Sequence, residues 1–305
     1  MKRSTYIAFW STLILLSSVI QYFTGNFPYS VFSFPLNLIV GALWIYLIYL
    51  SLGSYPDRPA VRFMLSGSTT FFSLLFLILG SLVIGLFPQM TAADAQAMPG
   101  ILSRLGVYNF MSSWIFVAIL TVFLTHLGMI TLRGTMRRAT FRLRFFLNHA
   151  GLWIAVFATF LGSADTVTLR IPVFFDRPNR EAYTLEGERT FLGHNLLLKD
   201  FHAEYYENGA PRNYLAVVSL SEPGSDTAEE FTLRVNHPYS HTFGQDIYLT
   251  SYDTTSARPR YCILQIVIQP WKYIQLLGII MTLAGGIMLF AFGPRSGKKQ
   301  LTQTT

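Results

Sequence analysis

Residues 147–165 read LNHAGLWIAVFATFLGSAD, and the character of the chain changes where they end. The run is apolar, and it is long enough to approach a helical crossing of a ~30 Å hydrocarbon core, which takes about 17–25 residues. Beyond Asp165, apolar and polar residues alternate in Asn195–Lys199, Tyr214–Leu220, Phe231–Val235 and Tyr261–Ile268. A period of two marks strands that bury one face, and the β-branched and aromatic content suits them. Turn chemistry separates these stretches: Glu207-Asn208-Gly209, Glu222-Pro223-Gly224-Ser225 and Asn236-His237-Pro238. At Pro270 the alternation stops and a Gly-rich apolar run begins. The reading is a small antiparallel β domain over 166–270, tethered to a membrane at both ends.

Working outward, apolar runs of this kind fall at 6–24, 35–53, 65–87, 110–131, 147–164 and 272–292. The chain is 51% hydrophobic and 13% charged, against about 25% charged in a typical soluble domain. The first run follows Met1-Lys2-Arg3 and has no convincing small-residue cleavage site, so it reads as a retained anchor. Basic residues occupy alternate loops: Lys2 and Arg3; Arg58 and Arg62; Arg133, Arg137, Arg138, Arg142 and Arg144; and Arg295, Lys298 and Lys299. The loops around 25–34 and 88–109 hold only Arg104. By the positive-inside rule both termini are cytoplasmic and 166–270 is extracytoplasmic.

The expected fold is therefore a membrane protein of about six transmembrane α-helices with one extracytoplasmic antiparallel β domain between the last two. Its parts are 1–90, the N-terminal helices; 91–165, helices four and five with a basic cytoplasmic loop; 166–270, the β domain; and 271–305, the last helix and a basic tail. The expected location is the cell inner (cytoplasmic) membrane, multi-pass. The formal charge of +7 clusters beside apolar runs, which points to membrane lipid and not to nucleic acid. Cys262 is the sole cysteine. That excludes an intramolecular disulfide, a CxxC redox pair, a cysteine zinc site and a CxxCH haem-attachment motif.

No nucleophile triad or carboxylate pair stands out, so the six histidines are the candidates for chemistry. His194, His202, His237 and His241 fall in the β domain and read as turn or surface residues. His126 and His149 fall within apolar helices, where an ionisable group is costly and is a functional hypothesis by default. They flank one basic loop on successive helices, roughly 7–11 Å from its arginines at ~1.5 Å per residue. A neutral imidazole there could ligate haem iron, or hydrogen-bond a neighbouring helix. Asp165 reads as an interfacial helix-ending residue, with a proton relay as the alternative.

The stretch Leu147–Trp153 through Leu161–Asp165 resembles the histidine-bearing helix of the ResB (CcsB) family of system II cytochrome c biogenesis. Leu197–Tyr206 followed by Gly209 and Pro211, then Val235–Ser240, and then Gln245–Asp253 resemble further blocks of that family in the same order. The resemblance covers about residues 110–293. ResB proteins generally have four spans, so the first 90 residues read as an added segment or a divergent first span with additions.

The resemblance implies a non-catalytic or co-catalytic accessory subunit of a cytochrome c synthetase (haem lyase) complex, working with a CcsA/ResC-like membrane protein to carry haem b across the membrane. The haem is then attached to CxxCH apocytochrome c. On this basis His149 matches the membrane histidine that supplies an axial ligand to haem iron together with a partner histidine. His126 has no clear family counterpart and remains a candidate on position alone, including as the second half of a pair within one chain. A membrane sensor or scaffold with a β ligand-binding domain is the alternative reading.

Overall fold

The computed structural model describes residues 2–136, 142–208, 211–225, 227–255 and 259–292. Gly209, Arg137, Arg138, Arg295, Lys298 and Lys299, named above for their turn chemistry or charge, lie outside those residues. All six apolar runs are helical: α1 (Arg3–Thr24), α2 (Leu36–Ser54), α4 (Gly67–Leu86), α7 (Trp114–Met136), α8 (Leu143–Gly162) and α9 (Lys272–Phe292). Among the described residues, short α-helices between them are α3 (Pro59–Met64), α5 (Ala92–Ala97) and α6 (Ile101–Arg104). By length and composition each of the six long helices is able to cross a membrane. The chain is thus compatible with a multi-pass membrane protein.

The helical unit comprises Met1–Gln89, Pro99–Leu161 and Tyr273–Thr305. At its centre is α7, whose most apolar stretch is 61% buried against 11–33% for the other five. Leu15, Leu16, Phe23, Phe71, Leu283 and Phe290 point outward uncovered, as side chains facing lipid would. Several polar groups among the helices are paired with one another. The Trp44 indole donates to Thr125 Oγ1 at 3.0 Å, and the Trp153 indole donates to the Leu124 carbonyl at 2.9 Å. Asn37 Nδ2 donates to the Leu161 carbonyl at 3.2 Å. Such bonds replace water, which a hydrocarbon core does not supply.

The second unit comprises Met90–Met98 and Gly162–Lys272. Eight strands form one antiparallel sheet: β1 (Val167–Phe174), β2 (Asn179–Thr184), β3 (Arg189–Tyr205), β4 (Pro211–Ser221), β5 (Ala228–Arg234), β6 (Tyr239–Thr242), β7 (Gln245–Tyr252) and β8 (Tyr261–Ile268). Their order across the sheet is β5-β4-β3-β2-β1-β8-β7-β6. Alternation in the sequence marks the four stretches that became β3, β4, β5 and β8. It misses β1, which carries Pro172 within the strand, and β2, NREAYT, which is mostly polar.

The inward residues form a single core that includes Leu169, Ile171, Leu196, Val218, Leu233, Ile247, Leu264 and Ile266. The sheet curls until its two edges approach, so that Phe231 of β5 stacks on Tyr239 of β6 at 4.0 Å. Two bulges make the curl compatible with a continuous core. Pairing slips between Leu198 and Asp200 on β3 and between Leu249 and Ser251 on β7. An extra residue reverses which side chains face inward. Hence Leu196 and Leu198 point in before the first bulge, Phe201 and Ala203 after it.

The residues where the chain enters and leaves this unit are tied together. Trp271 Nε1 donates to Asp165 Oδ2 at 2.8 Å, so Asp165 serves as an anchor at the end of the helix. Lys272 Nζ donates to both Asp246 oxygens at 2.7 Å, with side chains 20% and 14% exposed. Burial opposes ionisation of Asp246, but the Lys272 ammonium and the Ser240 hydroxyl outweigh it and hold the carboxyl below its ordinary value. A carboxyl lowered in the folded state contributes stability above the ordinary carboxylate range, and loses it as pH falls through the lowered value. Asp246→Asn should therefore be less stable than wild type at neutral pH and lack this acid-dependent loss. Thermal melts of the detergent-solubilised chain across the acid range check it.

Candidate functional site

His149 lies on the second turn of α8 and is half-buried. Its ring stacks on Phe145 with centres 3.9 Å apart, and Nδ1 lies 3.0 Å from the Phe145 carbonyl. A carbonyl only accepts, so Nδ1 carries a proton, and in the neutral ring Nε2 then holds the lone pair. Among the described residues Nε2 makes no hydrogen bond. An imidazole oriented by a backbone carbonyl, with its other nitrogen unengaged, is the usual arrangement of a metal-ligating histidine. The residues present thus fit an axial ligand of haem iron.

His126, on α7, is 2% exposed. Its Nδ1 donates to the carbonyl of Met64 on α3, and its Nε2 lies 2.9 Å from Thr70 Oγ1 on α4. Both nitrogens are engaged, and the ring bolts the α3–α4 corner to α7. In this packing His126 has no nitrogen to offer a metal.

The two histidines are not in contact. Packing of Trp153 at Gly128 and of Phe145 at Gly134 sets the antiparallel register of α7 and α8. His149 then stands opposite a residue near Thr131, about five residues from His126, which is ~7 Å along the axis. Thr70 and Met64, which decide the state of His126, carry no signal in sequence because they are remote in the chain.

In the β unit the histidines separate. His237 is exposed in the β5–β6 turn, where its N–H donates to the Arg234 carbonyl at 3.0 Å. His202 is exposed on β3 and lines a cleft of about 940 Å³ with Phe174, Arg177, Phe201, Tyr205 and Arg260. His194 and His241 are brought together, with ring centres 5.1 Å apart. At the cleft's edge Asp253 is 1% exposed. Its carboxylate accepts from Thr255 Oγ1 at 2.5 Å, from Thr255 N at 3.0 Å and from Arg260 N at 3.3 Å. Those bonds, the Thr255 hydroxyl foremost, hold its pKa down at about 2. Asp253 thereby fixes both ends of the loop leading into β8. The resemblance block Gln245–Asp253 is thus a strand plus the residue that anchors the following loop.

The class this arrangement defines is a helical protein with membrane-length helices, an antiparallel β domain between the last two, and a half-buried histidine on the helix entering that domain. Residues 142–261 match the model of the ResB-like family, which confirms the resemblance over α8 and β1 to β7, ending at the first residue of β8. Curated protein sequences include no match to the chain. Among solved structures the chain is similar to cytochrome c heme lyase CcmF, at 10% identity and a TM-score of 0.31. That similarity covers 84% of this chain and 45% of the other. The chain spans less than half of that protein's length.

Proposed function

We propose that this chain is the ResB-like subunit of a cytochrome c biogenesis complex, which brings haem b across the membrane for attachment to CxxCH apocytochromes. The observation that carries this is the family match over 142–261, which contains His149 on the helix leading into the β domain. The role of His149 is to present the Nε2 lone pair to haem iron at a site completed by a histidine of a CcsA/ResC-like partner. When bound, haem supplies the group to be transferred, and this chain's residues orient it. With one buried cysteine and no nucleophile set, the chain acts as an accessory subunit and leaves thioether formation to the complex. Purification of the chain with such a partner should yield a haem absorbance spectrum, and its absence from a folded complex would contradict the proposal.

In the same proposal the β domain lies outside the cytoplasmic membrane and both termini lie inside. The chain offers a clean test. Cys262 is fully buried, and burial pushes its thiol up to about 12, so the native protein should be silent to thiol reagents. Glu186→Cys, in the exposed β2–β3 turn, should label with a membrane-impermeant maleimide in intact cells. Asp57→Cys, in the exposed loop after α2, should label only after lysis. The reverse pattern would invert the topology.

A further inference from the structure

Strand β3 runs on past the end of β2. Their pairing reaches Leu196 opposite Asn179, where β2 begins. Beyond it, residues 200–204 of β3 pair with 213–217 of β4 on one side. The neighbours of β3 in the sheet are β4 and β2, so among the described residues no strand lies on the other side of this stretch. The cleft of about 940 Å³ runs along it, lined by Phe201, His202, Ala203 and Tyr205. Phe201 and Ala203 pack on the core, whereas His202 between them is exposed. Successive side chains point to opposite faces of a strand, so a cleft that both parities line follows the strand's edge. Its far wall is the end of β1 and the start of β8, where Phe174 and Tyr261 pair.

An open edge is a template for another chain, because its unpaired N–H and C=O groups accept a further strand. The two outer edges of the sheet are managed differently: Phe231 of β5 and Tyr239 of β6 stack at 4.0 Å, so those edges cover each other. Along β3 the Phe201 N–H donates to the Asp200 carboxylate of its own strand at 2.9 Å. That bond is local and exposed, and a docking strand can take its place. Around the cleft the large aromatic side chains of Phe175 and Tyr205 are left exposed. Arg177 is exposed with its guanidinium over the Phe174 ring at 4.5 Å, placed to meet an acid. Arg260 also lines the cleft, and its side chain stays exposed while Nε lies 3.4 Å from Asp253. Asp176 is the carboxylate among the lining residues.

We propose that residues 200–205 of β3 bind an extended, unfolded polypeptide segment as an added strand, with an acidic side chain of that segment meeting Arg177. The free stretch offers about 20 Å of edge at ~3.3 Å per residue. A small apolar ligand could fill the cleft but would leave the main-chain groups of the edge unmet. Main-chain bonds along the edge supply affinity that reads no sequence, while the aromatic walls and Arg177 set the preference for apolar and acidic residues. In the proposed function the exported apocytochrome supplies such a segment, and in that identification alone the inference rests on the cytochrome c reading.

The test uses the full chain in detergent and a fluorescein-labelled peptide of alternating valine and glutamate. Fluorescence anisotropy should show saturable binding. Backbone N-methylation of every second residue should weaken it at least ~10-fold in one phase and little in the other, because a strand turns alternate N–H groups to its neighbour. Hydrogen exchange within residues 200–205 should slow when the peptide is bound, a readout that needs no variant. Arg177→Glu should weaken this peptide at least ~10-fold and favour the counterpart with lysine for glutamate. No saturable binding, equal affinity of the two methylated peptides, unchanged exchange in 200–205, or protection of those residues by self-association of the chain would overturn the proposal. Haem content and cytochrome c maturation are separate readouts, so failure here leaves the role of His149 standing.

Discussion

His149→Ala should strip haem from the complex purified with a CcsA/ResC-like partner, reducing its haem absorbance to background. The ring is half-buried, stacked on Phe145 and fixed through Nδ1, so removing it deletes a ligand at little cost to packing. Loss of an axial ligand should exceed the ~10–100-fold loss of affinity that follows removal of a mere supporting residue. Added imidazole should restore part of the absorbance, because it can fill the space left by the ring and donate the same lone pair. His126→Ala should behave differently. It removes the partner of the Met64 carbonyl and one of the two partners of the Thr70 hydroxyl, which also bonds the Ser66 carbonyl at 3.5 Å, at a cost of about 1–3 kcal/mol. The yield of folded chain should fall, while haem per folded molecule stays near wild type. Haem-to-protein ratios for the two variants separate a ligand from a helix clamp.

The second large effect concerns α9. A Cβ at Gly278 would lie 2.4 Å from the Ala155 amide nitrogen and 2.7 Å from the Gly151 carbonyl oxygen. A Cβ at Gly151 would lie 2.6 Å from the Thr282 amide nitrogen. Both contacts are with backbone, so no side chain can move aside. In membranes, small residues let helices approach this closely, and packing of this kind drives association where the hydrophobic effect is absent. Gly278→Leu should separate α8 from α9, and accumulation of the full-length chain in the membrane should fall several-fold. Gly286→Leu, on the same helix but with nothing within 4 Å, should accumulate normally. Immunoblots of membranes from cells expressing the two variants decide the point.

Much of this arrangement was legible in the sequence because it rests on composition over long windows. The six apolar runs and the alternating segment between the last two announce themselves by period and length. Detail that depends on partners far apart in the chain was not legible. The engagement of His126 depends on Thr70 and Met64, and nothing local to His126 encodes it. β1 and β2 escaped because Pro172 and the polar run Asn179–Thr184 obscure alternation, while the paired neighbours that make them strands lie elsewhere in sequence. The bulges at Leu198–Asp200 and Leu249–Ser251 broke the period of two at the places where the core required a change of parity. His194 is the instructive case. Polarity alone makes it a turn or surface residue, yet it shares parity with the buried Leu192, Leu196 and Leu198, and its Nε2 is buried.

The central claim is that this chain serves cytochrome c maturation, and deleting its gene tests that most directly. Covalent haem in exported cytochromes, read by haem staining of denaturing gels, should disappear from the deletion strain and return with the wild-type chain, while b-type haem proteins remain unchanged. A deletion strain with a full complement of covalently haem-stained cytochromes would contradict the account.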